Sequence, residues 1–332
     1  MRIVCTREVD PREWDDLAAS QGGGFFHGHA ETVYEASRLG AEPLFVRALD
    51  DGGRCVGVAA GTVASSRTWP LSRYCRYAML HALPAAGERT PAAARALLAA
   101  IEDELRRGGV FAIHVSSYDS PLSHQVLASL GYELEPKWEF DVHLAPGIDA
   151  IWASFEGRRR TDIRKAEKLG VTTSVENTAA AVRLAFEFHG RSMQRRGAAA
   201  DGAGQEADLA ARHLLTSQCV DVFVSYQDGS PINAALFGHF NKAAYYLVSG
   251  SSDQGNRSCG PVHLLWTALK VYRERGAVRL NLGGAAEHEA TLHKFKSAFH
   301  PAITAEPGGR KEFPGLGAGL DRVRRLIKRG RK

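Results

Sequence analysis

One block of this 332-residue sequence occurs twice, and that restricts the chain to folds built from two like halves. Leu44-Phe-Val46 passes through Asp51-Gly-Gly53 into Val56-Gly-Val-Ala-Ala-Gly61. Val222-Phe-Val224 passes through Asp228-Gly-Ser230 into Ile232-Asn-Ala-Ala-Leu-Phe237. Each stretch predicts a hairpin closed by a glycine-containing turn. A helix of the same phase follows each hairpin, with Leu97, Leu98, Ile101 and Leu105 in one copy and Leu264, Leu265, Ala268 and Tyr272 in the other, spaced for one buried face. Each helix stops at a glycine, Gly109 or Gly276, and feeds a short strand, Phe111–Val115 or Val278–Leu282. Two copies of this length exclude a solenoid and predict a duplicated domain.

Strands alternating with helices predict an α+β (α/β) architecture. The first domain is expected over residues 1–146, ending where Ala145-Pro-Gly147 breaks the strand Trp138–His143, and the second over 147–313. Hydrophobic residues make up 44% of the chain, enough for a core in each half. The five cysteines are scattered, without a CxxC pair, which fits a reducing compartment. With no apolar leader and no run of 18 apolar residues, the expectation is a cytoplasmic protein without membrane insertion. His288 and His293 lack the HExxH spacing, so no metal is expected.

The net charge of +5 is modest but clustered. Arg158, Arg159, Arg160, Arg164, Lys165 and Lys168 crowd one short helix, and the run Arg322–Lys332 holds seven basic residues in eleven, including Arg324, Arg325 and Lys328. Guanidinium groups in such density suit phosphate. Solvated faces, or for the tail an anionic membrane surface, are the alternatives.

The residues Trp152, Arg160-x-x-Ile-Arg-Lys-Ala-x-Lys-x-Gly170, Leu264-Leu-Trp266, Gly276, Leu282-Gly-Gly284 and Phe295-Lys296-x-x-Phe299 resemble the Fem family of aminoacyl-tRNA-dependent transferases. That resemblance implies two tandem domains of the N-acetyltransferase (GNAT) fold, each a mixed, mostly antiparallel sheet flanked by helices. It also implies that the C-terminal helix, 314–332, returns to the first domain. The long helical hairpin of some members has no room between Thr178 and Cys219. By resemblance, Lys296 is the catalytic residue beside Phe295 at the transfer site, Arg196 binds the acceptor's anionic groups, and Tyr246 lines the cleft. Tyr118 and Asp119, in the loop after the first copy's strand, are further acceptor-binding candidates. Arg159, Arg160, Arg164, Lys165, Arg324, Arg325 and Lys328 are the expected tRNA contacts. The family's N-terminal lysine has no counterpart in Phe26–Tyr34, and Asn281 stands where the family carries an acid.

The expected reaction moves an amino acid from aminoacyl-tRNA to an amine on a peptide or small-molecule acceptor, with the tRNA as co-substrate and no resident cofactor. The ester is already reactive, so holding the amine within reach supplies much of the acceleration, and an ammonium such as Lys296 serves the oxyanion. Without a GxSxG motif or a paired Cys and His, transfer is direct. Two rivals remain: an acyl-CoA-dependent N-acyltransferase and a non-catalytic RNA-binding module. Against CoA, Pro261 removes a backbone donor where such enzymes cradle pyrophosphate, in Gln254–Pro261.

Overall fold

The computed structural model describes all residues except 66–75, 89, 196, 198–201, 287 and 315–332. The chain divides into two units, residues 1–137 with 305–332, and residues 138–304.

The first unit contains β1 (Arg2–Thr6), α1 (Pro11–Ser20), α2 (His29–Leu39), β2 (Glu42–Leu49), β3 (Cys55–Ser65), β4 (Arg76–Leu80), β5 (Ala85–Ala86), α3 (Pro91–Arg107), β6 (Val110–Val115), α4 (Ser123–Ser129) and β7 (Glu133–Glu135). The second contains β8 (Trp138–His143), α5 (Ile148–Ser154), α6 (Gly157–Lys168), β9 (Thr172–Val175), α7 (Ala179–Arg195), α8 (Ala203–Ala210), β10 (Val220–Gln227), β11 (Ser230–Phe240), β12 (Ala243–Ser251), α9 (Asp253–Arg257), α10 (Gly260–Glu274), β13 (Arg279–Ala285), α11 (Ala290–Ser297) and β14 (Ala302–Ala305). The last described strand, β15 (Gly308–Glu312), returns to the first sheet between β6 and β7.

The two sheets run β1-β2-β3-β4-β6-β15-β7, with β5 on β3, and β14-β8-β13-β12-β11-β10-β9. Both are mixed, and each has a parallel pair at its centre: β4 with β6, and β12 with β13. The helix that crosses over between the parallel strands is α3 in one unit and α10 in the other, so the repeat read from the sequence is the central motif of each sheet. This is the expected architecture of two tandem GNAT-like halves.

Local chemistry explains the elements. Asp228 and Gly229 both have positive φ, the two-residue turn that matches strand twist, and Gln227 pairs directly with Ser230. Thr90 caps α3 by accepting from Ala93 N, with Pro91 opening the helix, and Gly109 follows its end at φ +80°. Gly276 follows α10 at φ +82°. Leu97, Leu98, Ile101 and Leu105 are buried in the first core; Leu264, Leu265, Ala268 and Tyr272 are buried in the second. A fully buried Leu98 or Leu265 contributes about 2 kcal/mol of hydrophobic stabilisation.

The strand Trp138–His143 belongs to the second sheet, where Glu139 lies opposite Gly284 and Asp141 opposite Asn281. The sequence reading ends the first half after this strand, because the Pro-Gly break follows it. A break ends a strand, but hydrogen bonding decides which sheet the strand joins. The helix expected over 314–332, with Arg324, Arg325 and Lys328, lies outside the described residues, as does Arg196. Among the described residues, no helix is long and apolar enough to cross a membrane.

Candidate functional site

The two copies of the repeat differ where their parallel strands end. In the first unit the pair stays closed: Leu80 lies opposite Val115, then Ser116 N donates to Leu80 O and Tyr118 N to His81 O. In the second, β12 pairs with β13 only through Ala243–Tyr245 and Arg279–Asn281, although β12 runs on to Ser251. The strands therefore part after Tyr245 and Asn281.

Asn281 makes the parting. Buried in β13, its Oδ1 accepts from Gly283 N at 2.5 Å, which folds the side chain back on its own backbone and takes Gly283 to φ +77°. The register between β13 and β8 shifts at the same place, between Asn281 and Gly284. A Cβ on Gly283 would stand 3.2 Å from Tyr246 O, so the glycine admits the close approach of β12.

Lys296 reaches this kink from α11. Its side chain is only 4% exposed, and Nζ donates to Gly283 O at 2.8 Å and Gly284 O at 2.7 Å, with the Phe140 ring 5.5 Å away. Two main-chain carbonyls thus fix an ammonium at the mouth of the parted strands. Lys296 is therefore neither a flexible surface lysine nor a side chain free to swing. Tyr246, the first residue of β12 beyond its pairing with β13, packs its ring on Phe237 at 5.1 Å.

The other motif residues build the frame. Trp152 and Trp266 lie 5.1 Å apart, Phe155 stands edge-on to Trp266 and Phe299, and Phe295 contacts Phe299 at 5.8 Å. Arg159 sits over both Phe295 and Phe299, at 5.0 and 4.9 Å, and donates to Phe295 O at 3.1 Å. It is 9% exposed, and burial pulls its pKa down. The sequence reading places Arg159 among the tRNA contacts; in the structure it is a buried guanidinium tying α6 to α11, on the inward face of an amphipathic helix. Arg160 donates to Ala153 O and Phe155 O, and so clamps the α5–α6 junction. Arg164 is exposed and covers Trp152 at 5.3 Å, and Lys165, also exposed, reaches Arg257 O at 2.9 Å.

Tyr118 and Asp119 belong to the first unit. Tyr118 is 39% exposed, stacks on Phe26 at 4.6 Å and carries the Lys137 ammonium 4.0 Å above its ring. Ser117 and Asp119 both hold positive φ, so this is a tight loop that presents the ring.

The glycines before α10 face inward. A Cβ on Gly255 would meet Ile232 O at 2.3 Å, and one on Gly260 would meet Asn233 Oδ1 at 2.2 Å. The N–H groups of Val262 and His263 both bond Cys259 O, and Pro261 has none. Among the described residues no cluster of His, Cys, Asp and Glu is arranged to hold a metal.

Sequence reasoning gave Gly283 and Gly284 only membership of a motif, and marked Asn281 only as standing in place of the family's acid. The signal was the Asn-Leu-Gly-Gly order itself, a short polar side chain two residues before a glycine at a strand end.

Residues 203–311 match the FemAB family model. Among solved structures, the chain is similar to FemX, with a TM-score of 0.77 at 15% identity over 97% of this chain and 99% of that one. It is also similar to a conserved protein of unknown function from Bacteroides thetaiotaomicron (TM-score 0.61, 9% identity, 94% and 100% covered). L-PGS from Bacillus licheniformis is a third (TM-score 0.53, 15% identity, 96% and 97% covered). At these identities the structural likeness shows the fold. No curated protein sequence matches the chain. The family model thus matches residues 203–311, and the chain as a whole shares the fold of FemX.

Proposed function

We propose that this chain is an aminoacyltransferase that moves an amino acid from aminoacyl-tRNA to the amine of a peptide-type acceptor. The observation that carries the reading is the Lys296 ammonium held on the Gly283 and Gly284 carbonyls where β12 and β13 part. The FemAB match over residues 203–311 supports the same class, since it spans β10 to β15 and includes Lys296.

In the reaction, the carbon–oxygen bond to the ribose breaks as a carbon–nitrogen bond forms. The amine gives up a proton and the ribose oxygen takes one. Negative charge builds on the carbonyl oxygen between these events. A cation fixed beforehand stabilises that charge without reorganising, which is the most effective use of charge in a site shielded from water. A lysine whose Nζ donates to two carbonyls presents fixed N–H donors, so Lys296 is assigned here as an electrostatic stabiliser rather than a base. No resident cofactor is required.

The acyl-CoA reading has less support. Both glycines before α10 are packed against β11, and the first-turn N–H groups of Val262 and His263 are spent on Cys259 O, so a pyrophosphate finds no cradle there.

The test is transfer from charged tRNA to candidate amines, read by mass. Lys296→Met is expected to slow transfer by about 10²–10³-fold, and ribonuclease to abolish it. Undiminished transfer by the variant removes Lys296 from the chemistry. Transfer that survives ribonuclease and requires acyl-CoA overturns the donor.

A further inference from the structure

A cavity of about 320 Å³ opens between the first turn of α6 and the outer face of α11. The α11 side is one helical stripe, Thr291, Lys294, Phe295 and Ala298, while Lys296 points to the other side of the same helix. From α6 come Glu156, Arg158, Arg159 and Asp162.

The charge balance favours an anion. Arg158, Arg159 and Lys294 face Glu156 and Asp162, three cations against two carboxylates. Asp162 meets Arg159 at 3.5 Å and the Cys259 thiol, while Arg158 and Lys294 are exposed at the rim. Arg159 is nine-tenths buried and its Nε meets no acceptor, although Phe295 O and the rings of Phe295 and Phe299 hold the group in place. The cavity also receives the start of a twelve-residue helix. Glu156 caps it with no side-chain bond, so the N–H groups of Gly157 and Arg158 have no acceptor within the helix, and the dipole adds partial positive charge. Gly157 has no Cβ, and one placed there would meet only Arg160 Nη2, at 3.9 Å. The space exceeds a bare phosphate, and the apolar wall is Phe295, a ring on which a sugar or base can lie.

We propose that this cavity binds a phosphate of the acyl donor, the one next to the terminal nucleotide of aminoacyl-tRNA. The proposal rests on the tRNA reading for the identity of the donor, but not for the phosphate chemistry, which a phosphate of CoA shares. Arg158 and Lys294 supply paired charge-assisted hydrogen bonds, the helix start supplies N–H groups, and Arg159 sets the potential from beneath. Phe295 and Lys296 are neighbours on α11. A nucleotide anchored on one face of this helix is separated from the ammonium on the other by roughly one helix width, ~10 Å.

The experiment measures binding of two probes to the full chain over a range of salt: an uncharged RNA hairpin ending in CCA, and coenzyme A. The variants are the double substitution Arg158→Gln/Lys294→Gln, at exposed positions, and Asp162→Asn, which removes a competing carboxylate. The double variant is expected to bind RNA roughly tenfold more weakly, with a salt dependence shallower by about one phosphate contact. Asp162→Asn is expected to bind more tightly, a gain that misfolding cannot produce. If coenzyme A is the probe that binds and responds in this way, the phosphate cavity stands and the tRNA reading falls. If the double variant binds whichever probe the parent binds with equal affinity, or if Asp162→Asn shows no gain, the cavity is not the phosphate site. Binding of neither probe also overturns it.

Discussion

Lys294 and Lys296 are two positions apart on α11, yet one is exposed at a cavity rim and the other is buried on two carbonyls. The same residue type therefore has different energetics at each. Lys296→Met leaves Gly283 O and Gly284 O without their donor, and is expected to cost about 1–3 kcal/mol of stability besides its rate effect, read by urea unfolding. Lys294→Gln is expected to cost under about 0.5 kcal/mol. His81 offers a test in the first unit. It is 3% exposed, neither ring nitrogen has a hydrogen-bond partner, and burial pushes its pKa down from the usual 6.5 to about 4. Between those values the unfolded chain binds a proton that the folded chain refuses, so the stability present above pH 6.5 is lost as pH falls toward 4. Relative to wild type, His81→Phe is expected to gain about 2–3 kcal/mol between pH 7.5 and pH 4.5, measured by urea unfolding at both. A pH-independent difference would place the ring in water. Lys296 stood out in the sequence because its Phe-Lys pairing is shared with a family. His81 did not, since burial comes from residues far along the chain.

At the scale of elements, the bend in β13 is what separates a closed repeat from an open one. Gly283→Ala must hold φ +77° and place a methyl 3.2 Å from Tyr246 O and 3.5 Å from Lys296 Nζ. The expected cost is about 2 kcal/mol, with transfer slowed roughly tenfold, since the methyl displaces the kink by tenths of an ångström where a full 1 Å misplacement can cost about 10²-fold. Gly276→Ala has a similar φ, +82°, but nothing within 4 Å. It should cost about 1 kcal/mol and leave transfer unchanged, so the pair separates strain from site geometry when both are assayed for melting and rate. Gly250→Ala is expected to be worse than either, at least about 3 kcal/mol, since its Cβ would lie 2.0 Å from Phe188 C and 2.2 Å from His189 N, where α7 crosses β12. The helices α3 and α10 and both hairpins were legible, because periodicity and turn residues are local signals. The kink was not, since Asn281 acts through a hydrogen bond that exists only once β13 is in place.

At the scale of the molecule, each sheet is completed by a strand from outside its own copy of the repeat. β8, which comes after the first copy, lies beside β13, and β15, after the second, lies beside β6. Residues 138–304 are therefore expected to fold when expressed alone, with cooperative melting, whereas residues 1–137 lack β15 and leave β6 and β7 without the strand between them. A cooperatively melting 1–137 fragment would make β15 dispensable. From its sequence alone the protein is legible as a duplicated hairpin-helix-strand chain that resembles the Fem family, with a lysine beside a Gly-Gly strand end, because these are features of residue order and short-range spacing. Only the tertiary structure decided which sheet takes Trp138–His143, which arginines of the basic helix turn inward, and that the strands of the second copy part around Lys296. Those outcomes depend on hydrogen bonds and burial between residues far apart in the chain, whose free energies no local pattern encodes.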